Sequence, residues 1–174
     1  MRKLIEIRRH SMRAIPGAHL TQEDVALARR TGEGMGPFQY VITSTLSRAF
    51  ETALAMGFAV DAQNELMSSP GDDVEREVPY PQTFAAYAAA VRKGRAAAQY
   101  ALRLADLYRE LATSLPDQGT ALVINHGGIL ELGVAGCLPE RNYLSWGGAA
   151  GYCEGARLIW EDGEFVEAEL LRIR

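Results

Sequence analysis

The sequence predicts an α/β fold, a three-layer α/β/α domain built on a mostly parallel sheet. Short apolar runs typical of strands alternate along the chain with segments of helical periodicity, a pattern typical of parallel strands covered by helices on both faces. Glu161-Asp162-Gly163-Glu164 is a tight-turn sequence between the last two apolar runs, so we expect an antiparallel strand from a C-terminal hairpin. A length of 174 residues suits one domain, and we expect residues 1–174 to form it.

The strand predictions rest on runs rich in β-branched and other apolar residues. They cover residues 3–8, 40–44, 121–125, 155–161 and 164–172, and a further short strand is predicted at 58–61. The first run carries Glu6 and Arg8 on one face. Because charges are unusual on a buried central strand, the simplest explanation is that these two neighbours pair with each other.

Helix signals fill the space between these runs. Thr21 followed three residues later by Asp24 predicts a helix start, and Leu46–Met56 predicts a second helix that ends at a glycine. An apolar stripe near the 3.6-residue period continues over 84–113. An unbroken helix of that length would measure roughly 45 Å, which matches or exceeds the expected diameter of the domain. We therefore expect a break at Lys93-Gly94.

The composition argues against several classes of protein. Apolar residues make up 48% and charged residues 23% of the chain, which are ordinary values for a soluble globular protein. The net charge of −4 argues against broad nucleic-acid binding, and the apolar runs are too short for a membrane span or a signal peptide. Cys137 and Cys153 lack the spacing of a metal site and suit a reducing compartment. We therefore expect a cytoplasmic protein without a cofactor, a nucleic-acid partner or a membrane partner, and the sequence leaves its oligomeric state open.

A histidine lies between arginines in Arg9-His10-Ser11-Met12-Arg13, directly after the first apolar run. Neighbouring cations lower the pKa of an imidazole and keep one ring nitrogen free of a proton. A neutral imidazole can attack phosphorus, and guanidinium groups can hold the phosphoryl oxygens. An arginine pocket in a chain of net negative charge suits an anion, although an exposed basic loop has the same composition.

Two later segments place further polar side chains after predicted strands. Val41–Ala49 has the pattern of a strand, a turn and a helix start that carries Arg48. Ala121–Gly128 has the pattern of a buried strand that ends in His126 and two glycines. Ligands of open α/β sheets bind outside the carboxyl ends of the strands, so one crevice can collect Arg9-His10 and these later side chains.

In these three motifs the chain resembles the histidine phosphatase superfamily, which also contains the phosphoglycerate mutases. The family combines an Arg-His-Gly loop, a Ser-x-x-x-Arg-Ala segment and a His-Gly-Gly turn. This chain has Arg9-His10-Ser11, Ser44–Ala49 and His126-Gly127-Gly128 in the same order. The resemblance spans most of the chain, is strongest to the small phosphatases of the family, and implies the same three-layer fold.

The resemblance implies a role for each motif residue. His10 would be the nucleophile that is transiently phosphorylated on a ring nitrogen. Arg9 and Arg48 would each contact two oxygens of the transferred phosphoryl group, because a planar guanidinium makes paired contacts that lysine cannot make. His126 would donate a hydrogen bond to a phosphate oxygen, and Gly127 would let the backbone approach the anion closely.

Two further residues are candidate phosphate contacts. Arg13 matches an arginine of the acid phosphatases, another branch of the superfamily, and is either a third phosphate contact or part of a salt bridge on the rim. Ser11 stands where the family has glycine. Its hydroxyl could reach the phosphate, whereas a positive φ at this position would strain a serine.

Hydrolysis also needs a general acid for the leaving oxygen. In the branch with His-Gly-Gly a glutamate after the arginine-bearing helix supplies it, and Glu65 is at the matching place. The glycine and the Trp-Glu-Gly that follow in the family are missing here, which leaves Asp72, Asp73 and Glu75 as alternatives. Residues 70–81 are polar and bounded by prolines, and they form either a substrate-selecting lid or a plain surface loop.

Together these residues predict a metal-independent phosphatase that hydrolyses a phosphomonoester, or a phosphohistidine, through a phosphohistidine intermediate on His10. The arginines would take the role that a metal ion has in other phosphatases. One alternative is a phosphoglycerate mutase-type phosphotransferase, which the short chain disfavours. Another is a catalytically inactive phosphate-binding regulatory module, which Ser11 and the missing segment after Glu65 keep open and which the intact arginines and histidines of the three motifs disfavour. The expected partner is a small phosphorylated metabolite or a phosphoprotein.

Overall fold

Six strands and six α-helices follow one another in the computed structural model, which describes residues 1–173. The strands are β1 (Arg2–Arg9), β2 (Tyr40–Thr43), β3 (Ala62–Gln63), β4 (Thr120–Asn125), β5 (Gly155–Glu161) and β6 (Glu164–Leu171). The helices are α1 (Gln22–Gly32), α2 (Ser47–Ala55), α3 (Asp72–Glu77), α4 (Phe84–Arg92), α5 (Ala96–Ser114) and α6 (Ile129–Cys137). Short 3₁₀ helices span Glu65–Met67 and Leu144–Trp146. None of the helices in this range has both the length and the apolar character needed to cross a membrane.

The strands form one sheet in the order β3-β2-β4-β1-β5-β6. β3, β2, β4 and β1 are parallel, whereas β5 is antiparallel to β1 and forms a hairpin with β6. The prediction of a mostly parallel sheet with a C-terminal hairpin is therefore confirmed. The short strand expected near 58–61 lies later in the chain, because β3 pairs with β2 over Ala62–Gln63. The Phe58 N–H instead donates to the Ala53 carbonyl at the end of α2, at 3.0 Å.

Helices cover both faces of the sheet, which confirms the three layers. α1 and α2 pack on one face, and α3 to α6 pack on the other. Alternate residues of β4 point to opposite faces. Val123 joins the larger core beneath α3 to α6, whereas Leu122 and Ile124 join the smaller core beneath α1 and α2. The central strands are thus packed from both sides, which holds the loops at their ends in place.

The predicted helix boundaries agree with the structure. Thr21 and Asp24 form a capping box at the start of α1, and α2 ends just before Gly57. The predicted break lies between α4 and α5, where Gly94 has a φ of 70°, a conformation that favours glycine. Residues 70–81 are not a plain loop, because they contain α3. The first turn of α3 is acidic, which suits the positive end of a helix.

The charged residues of β1 are paired inside the fold. Arg8 Nη2 lies 2.7 Å from Glu6 Oε1, and Arg157 Nη2 of β5 lies 2.8 Å from Glu6 Oε2. Arg8 also donates to the Cys153 carbonyl at 3.1 Å. Because Glu6 and Arg8 are both buried, removing Glu6 would leave the charge of Arg8 uncompensated. The pairing explains why β1 tolerates charges at two central positions.

Candidate active site

Three loops meet at the carboxyl edge of the parallel strands. β1, β2 and β4 end nearly level with one another in the sheet register. The His10 N–H donates to the Asn125 carbonyl at 2.9 Å, and the Ser44 N–H donates to the Ile124 carbonyl at 3.0 Å. These backbone hydrogen bonds continue the sheet by one residue and bring the three sequence motifs to one place.

His10 is buried and neutral. Its Nδ1 is hydrogen-bonded to the Ser11 carbonyl oxygen, which holds the ring proton on that nitrogen. Its Nε2 accepts a hydrogen bond from Arg48 Nε at 3.3 Å. Burial lowers the pKa of His10 to about 3, and the charges of Arg48 and Arg9 act in the same direction. The Nε2 lone pair is therefore free of a proton at neutral pH and faces a guanidinium group.

The ring of His126 lies beside that of His10, with 4.9 Å between the centroids. Burial lowers the pKa of His126 to about 2, and its neighbour His10 acts in the same direction. Nε2 of His126 lies 2.6 Å from Ser44 Oγ, and that oxygen also accepts the Leu46 N–H at 3.3 Å. The Ser44 proton is then directed at Nε2, which leaves the imidazole proton on Nδ1. This Nδ1 is buried and has no hydrogen-bond partner within residues 1–173, so it is a free donor.

Arg9 is held by two tyrosine rings and a carbonyl group. Its Cζ lies 4.1 Å from the centroid of Tyr152 and 5.4 Å from the centroid of Tyr80, distances at which a guanidinium is attracted to an aromatic face. Its Nη1 donates to the Ala150 carbonyl at 3.1 Å. Its Nε is buried without a hydrogen-bond partner in the described part of the chain. The guanidinium is therefore oriented and keeps unused donors.

Arg48 adds to the positive charge of the site. Burial lowers the pKa of Arg48, and the charges of Arg13 and Arg9 act in the same direction, so three guanidinium groups influence one another. Arg13 is exposed, and its Nη1 donates to the Gly17 carbonyl at 2.6 Å. Of the two alternatives for Arg13, the rim salt bridge is not formed within residues 1–173. The cluster is a positive patch suited to an anion.

A buried carboxylate connects the loops around Arg9 and His126. Glu131 of α6 is fully buried, and burial raises its pKa. Its Oε2 accepts the Gly128 N–H at 2.6 Å, and its Oε1 accepts the Ala150 N–H at 2.8 Å. Since the Ala150 carbonyl accepts from Arg9, Glu131 links the turn after His126 to the loop that holds Arg9.

A cavity of about 230 Å³ adjoins Arg48 and His126. The rest of its wall comes from residues 68–70, from the region of α3, from Tyr80 and Tyr87, and from the start of α6. Gly127 also lines it, and a Cβ there would lie 2.4 Å from Cε2 of Tyr80. A side chain at Gly127 would therefore prevent the Tyr80 ring from closing over the turn.

Ser11 is directed into the fold. Its hydroxyl donates to the Asp24 carbonyl at 2.8 Å, and its N–H donates to Thr52 Oγ1 at 2.9 Å. The residue is fully buried and is not among the positive-φ residues of the described chain, so serine is unstrained here. The structure does not bring the Ser11 hydroxyl to the anion site, and serine in place of glycine instead ties β1 to α1.

The candidate carboxylates lie at different places. Glu65 is exposed, and Thr45 Oγ1 donates a hydrogen bond to its Oε2. Glu75, Asp72 and Asp73 are all exposed, and of the three only Glu75 lines the cavity. The structure therefore brings Glu75 to the cavity and leaves Glu65 beside the β2 loop. In residues 1–173, no group of three or more metal-ligating side chains could hold a metal ion.

This arrangement of motifs agrees with a match to a known family. Residues 8–171 match the family model described as histidine phosphatase superfamily (branch 1). The chain belongs to this superfamily. Among curated proteins, none matches the chain significantly.

Solved structures show that this chain shares its fold with both phosphatases and a phosphoglycerate mutase. A phosphoglycerate mutase from Bacillus anthracis str. Sterne is 14% identical with a TM-score of 0.68, over 98% of this chain and 92% of that one. A mycobacterial glucosyl-3-phosphoglycerate phosphatase is 18% identical with a TM-score of 0.68, over 99% of each chain. A phosphoserine phosphatase from Entamoeba histolytica is 16% identical with a TM-score of 0.66, over 94% of each chain. At these identities the likeness shows the fold alone.

Several side chains of the candidate site were not predicted from the sequence. Glu131 follows Gly128 by three residues, the spacing of a capping box, and that signal could have found it. Ser44 lies within a recognised motif, but its hydrogen bond to His126 forms only because the sheet places the ends of β2 and β4 side by side. Tyr152 carries no local signal, because only the pairing of β1 with β5 brings it to Arg9.

Proposed function

We propose that the protein is a phosphatase that transfers the phosphoryl group of a phosphomonoester to His10 and then to water. The observation that carries the proposal is the neutral His10 ring, whose unprotonated Nε2 lies 3.3 Å from Arg48 Nε. An uncharged nucleophile beside a guanidinium is suited to attack an anionic phosphoryl group. A phosphohistidine as substrate would be handled by the same groups.

In the first step, Nε2 of His10 attacks phosphorus. The bond between phosphorus and the alcohol oxygen breaks, and its electron pair leaves on that oxygen. Arg9, Arg48 and the Nδ1–H of His126 hold the non-bridging oxygens and spread their charge in the transition state. In the second step, water attacks the phosphohistidine, the P–N bond breaks, and its electron pair returns to Nε2. Inorganic phosphate leaves, and the neutral imidazole is restored.

Glu65 is the proposed general acid for the leaving oxygen and the later base for water. The Thr45 hydroxyl donates a hydrogen bond to the Glu65 carboxyl. This places Glu65 beside the loop that carries Ser44, and Ser44 is hydrogen-bonded to His126. The alternative is Glu75, because it lines the cavity. The two assignments predict different responses to the leaving group.

Loss of the general acid should slow esters of poor leaving groups more than esters of acidic phenols, because nitrophenolate leaves without a proton. We expect Glu65→Gln to lower kcat/KM for an alkyl phosphate by about 100-fold or more and to have a much smaller effect with p-nitrophenyl phosphate. Glu75→Gln is the matched comparison and should leave the ratio of the kcat/KM values for the two substrates unchanged. If only Glu75→Gln changes this ratio, the acid is Glu75.

Hydrolysis of p-nitrophenyl phosphate in the presence of EDTA, beside a His10→Ala variant, tests the proposed function. The expected result is phosphate release that survives the chelator and is lost in the variant. Equal release by both proteins would contradict the phosphohistidine route. Transfer to added phosphoglycerate in preference to water would favour a mutase, and phosphate binding without turnover of any ester would favour an inactive binding module.

A further inference from the structure

The cavity beside Arg48 and His126 is where the alcohol half of a phosphomonoester would lie. These two residues belong to the proposed phosphoryl site, whereas the rest of the wall lies beyond it. A volume of about 230 Å³ is that of a small organic group. The chemistry of the wall therefore bears on the class of alcohol that the site accepts.

One part of this wall is apolar, beside the polar groups of Arg48, Glu75 and His126. Val74 and Val78 contribute from the region of α3, and Ile129 and Leu132 contribute from α6. All four side chains are buried in the fold, and Tyr80 also lines the cavity. Such a surface is stabilised when it covers an apolar or aromatic group.

Tyr87 adds a buried hydrogen-bond donor to the wall. The residue is 1% exposed, and its hydroxyl proton has no acceptor within residues 1–173. Burial raises the pKa of Tyr87, so the hydroxyl keeps its proton at physiological pH. Because a buried donor without a partner costs free energy, a ligand oxygen that accepts from Tyr87 would be favoured.

The charge of the wall opposes a second anion. Glu75 lines the cavity and has no salt-bridge partner in the described part of the chain. Among the wall residues within 1–173, Arg48 is the one with a guanidinium or ammonium group, and the mechanism commits it to the phosphoryl group. A carboxylate on the alcohol half would therefore meet the like charge of Glu75 without a cation of its own.

We infer that the substrate is a phosphomonoester of an apolar or aromatic alcohol that carries no carboxylate and offers a hydrogen-bond acceptor to Tyr87. The inference rests on the proposed phosphatase function, because it assigns the group on the other side of the phosphoryl site. It sets the expected substrate apart from phosphoglycerates and phosphoserine, whose alcohol halves carry a carboxylate.

Calorimetric binding of phosphonates tests the inference without turnover, because their C–P bond is not hydrolysed. Benzylphosphonate should bind about tenfold more tightly than methylphosphonate, since its ring covers the apolar wall. 4-Carboxybenzylphosphonate should bind about tenfold more weakly than benzylphosphonate, because its carboxylate meets Glu75. Equal affinities for benzylphosphonate and 4-carboxybenzylphosphonate would overturn the inference. So would equal affinities for methylphosphonate and benzylphosphonate, or the absence of binding by all three compounds.

Variants assign the selectivity to particular side chains. Glu75→Gln should raise the affinity for 4-carboxybenzylphosphonate toward that for benzylphosphonate, whereas the matched control Asp72→Asn removes an exposed carboxylate of the same helix and should not. Equal effects of the two variants would overturn the assignment to Glu75.

The Tyr87→Phe variant should bind 4-acetylbenzylphosphonate more weakly than the wild type does, and its affinity for benzylphosphonate should be unchanged. An unchanged affinity for the acetyl compound would overturn the role of Tyr87.

The outcomes for the inference and for the proposed function are separable. If p-nitrophenyl phosphate is not hydrolysed but the phosphonates show the expected order, the phosphatase proposal fails and the ligand class stands. If the ester is hydrolysed through His10 but the carboxylate analogue binds as well as the others, the ligand class fails and the phosphatase proposal stands.

Discussion

His10 and His126 present different ring atoms to the same anion site. The Ser11 carbonyl holds the proton of His10 on Nδ1, whereas the Ser44 hydroxyl lies against Nε2 of His126. One ring therefore offers a lone pair and the other offers an N–H, although burial keeps both neutral at physiological pH. The difference arises from the hydrogen-bonding neighbours of each ring.

Removal of the Ser44 hydroxyl should let the proton of His126 occupy either ring nitrogen and weaken its contact with the phosphoryl group. We expect Ser44→Ala to lower kcat/KM for p-nitrophenyl phosphate by about tenfold or more, equivalent to about 1.4 kcal/mol of transition-state stabilisation. Ser47→Ala is the control, since it removes a hydroxyl of α2 that does not contact the imidazole. An unchanged kcat/KM in Ser44→Ala would contradict this role.

The two histidines should also make stability depend on pH. Their pKa values in the fold, about 3 for His10 and about 2 for His126, are below the ordinary value of 6.5. The unfolded chain therefore binds more protons than the folded chain below about pH 6.5, and stability present above that pH is lost on acidification. The free energy of unfolding should fall by up to about 1.4 kcal/mol per pH unit for each histidine.

Urea denaturation at pH 7 and pH 5 measures this loss in the wild type and in a variant that combines His10→Gln with His126→Gln. The variant should lose less stability between the two pH values than the wild type does. An equal loss in both proteins would mean that carboxylates, and not the buried imidazoles, carry the acid sensitivity.

At the scale of the elements, the close approach of α6 to α5 fixes the position of the turn after His126. A Cβ on Gly136 would lie 2.3 Å from the Ala101 carbonyl oxygen, and one on Gly133 would lie 2.7 Å from Cε2 of Tyr108. Glycine at both positions lets α6 pack closely against its neighbour. Because α6 also carries Glu131, this packing positions the carboxylate that links two loops of the site.

Gly136→Ala should force the two helices apart, because the atom that its Cβ meets belongs to the backbone. We expect the free energy of unfolding to fall by about 1–3 kcal/mol, measured by urea denaturation. Gly148→Ala is the matched control, since a Cβ there meets no atom within 4 Å. Equal stability of the two variants would show that the helix pair relaxes without cost.

At the scale of the whole molecule, the sequence predicts what depends on local pattern. Apolar runs predict the long strands, and the stripe interrupted at Gly94 predicts two helices in place of one. The six-residue α3 is too short for a periodic pattern to reveal. The contact of Tyr152 with Arg9 and the direction of the Ser11 hydroxyl were also beyond prediction, because both depend on how distant segments pack.

The same reasoning explains which parts of the candidate site were predictable. The motifs end strands, and the carboxyl ends of parallel strands meet at one edge, so the convergence of His10, Arg48 and His126 follows from the fold class. The wall of the cavity does not follow from it, because Glu75 and Tyr87 reach the cavity from separate helices. The proposed phosphoryl transfer to His10 therefore uses the residues whose convergence follows from the sequence pattern.

Rapid-quench mass spectrometry tests that transfer most directly. The protein is mixed with p-nitrophenyl phosphate, quenched in alkali to preserve a phosphorus–nitrogen bond, and digested for analysis of the peptide that contains His10. We expect one phosphoryl group on His10 during turnover and none in the His10→Ala variant. Turnover with no phosphoryl group on His10, or with the group on another residue, would contradict it.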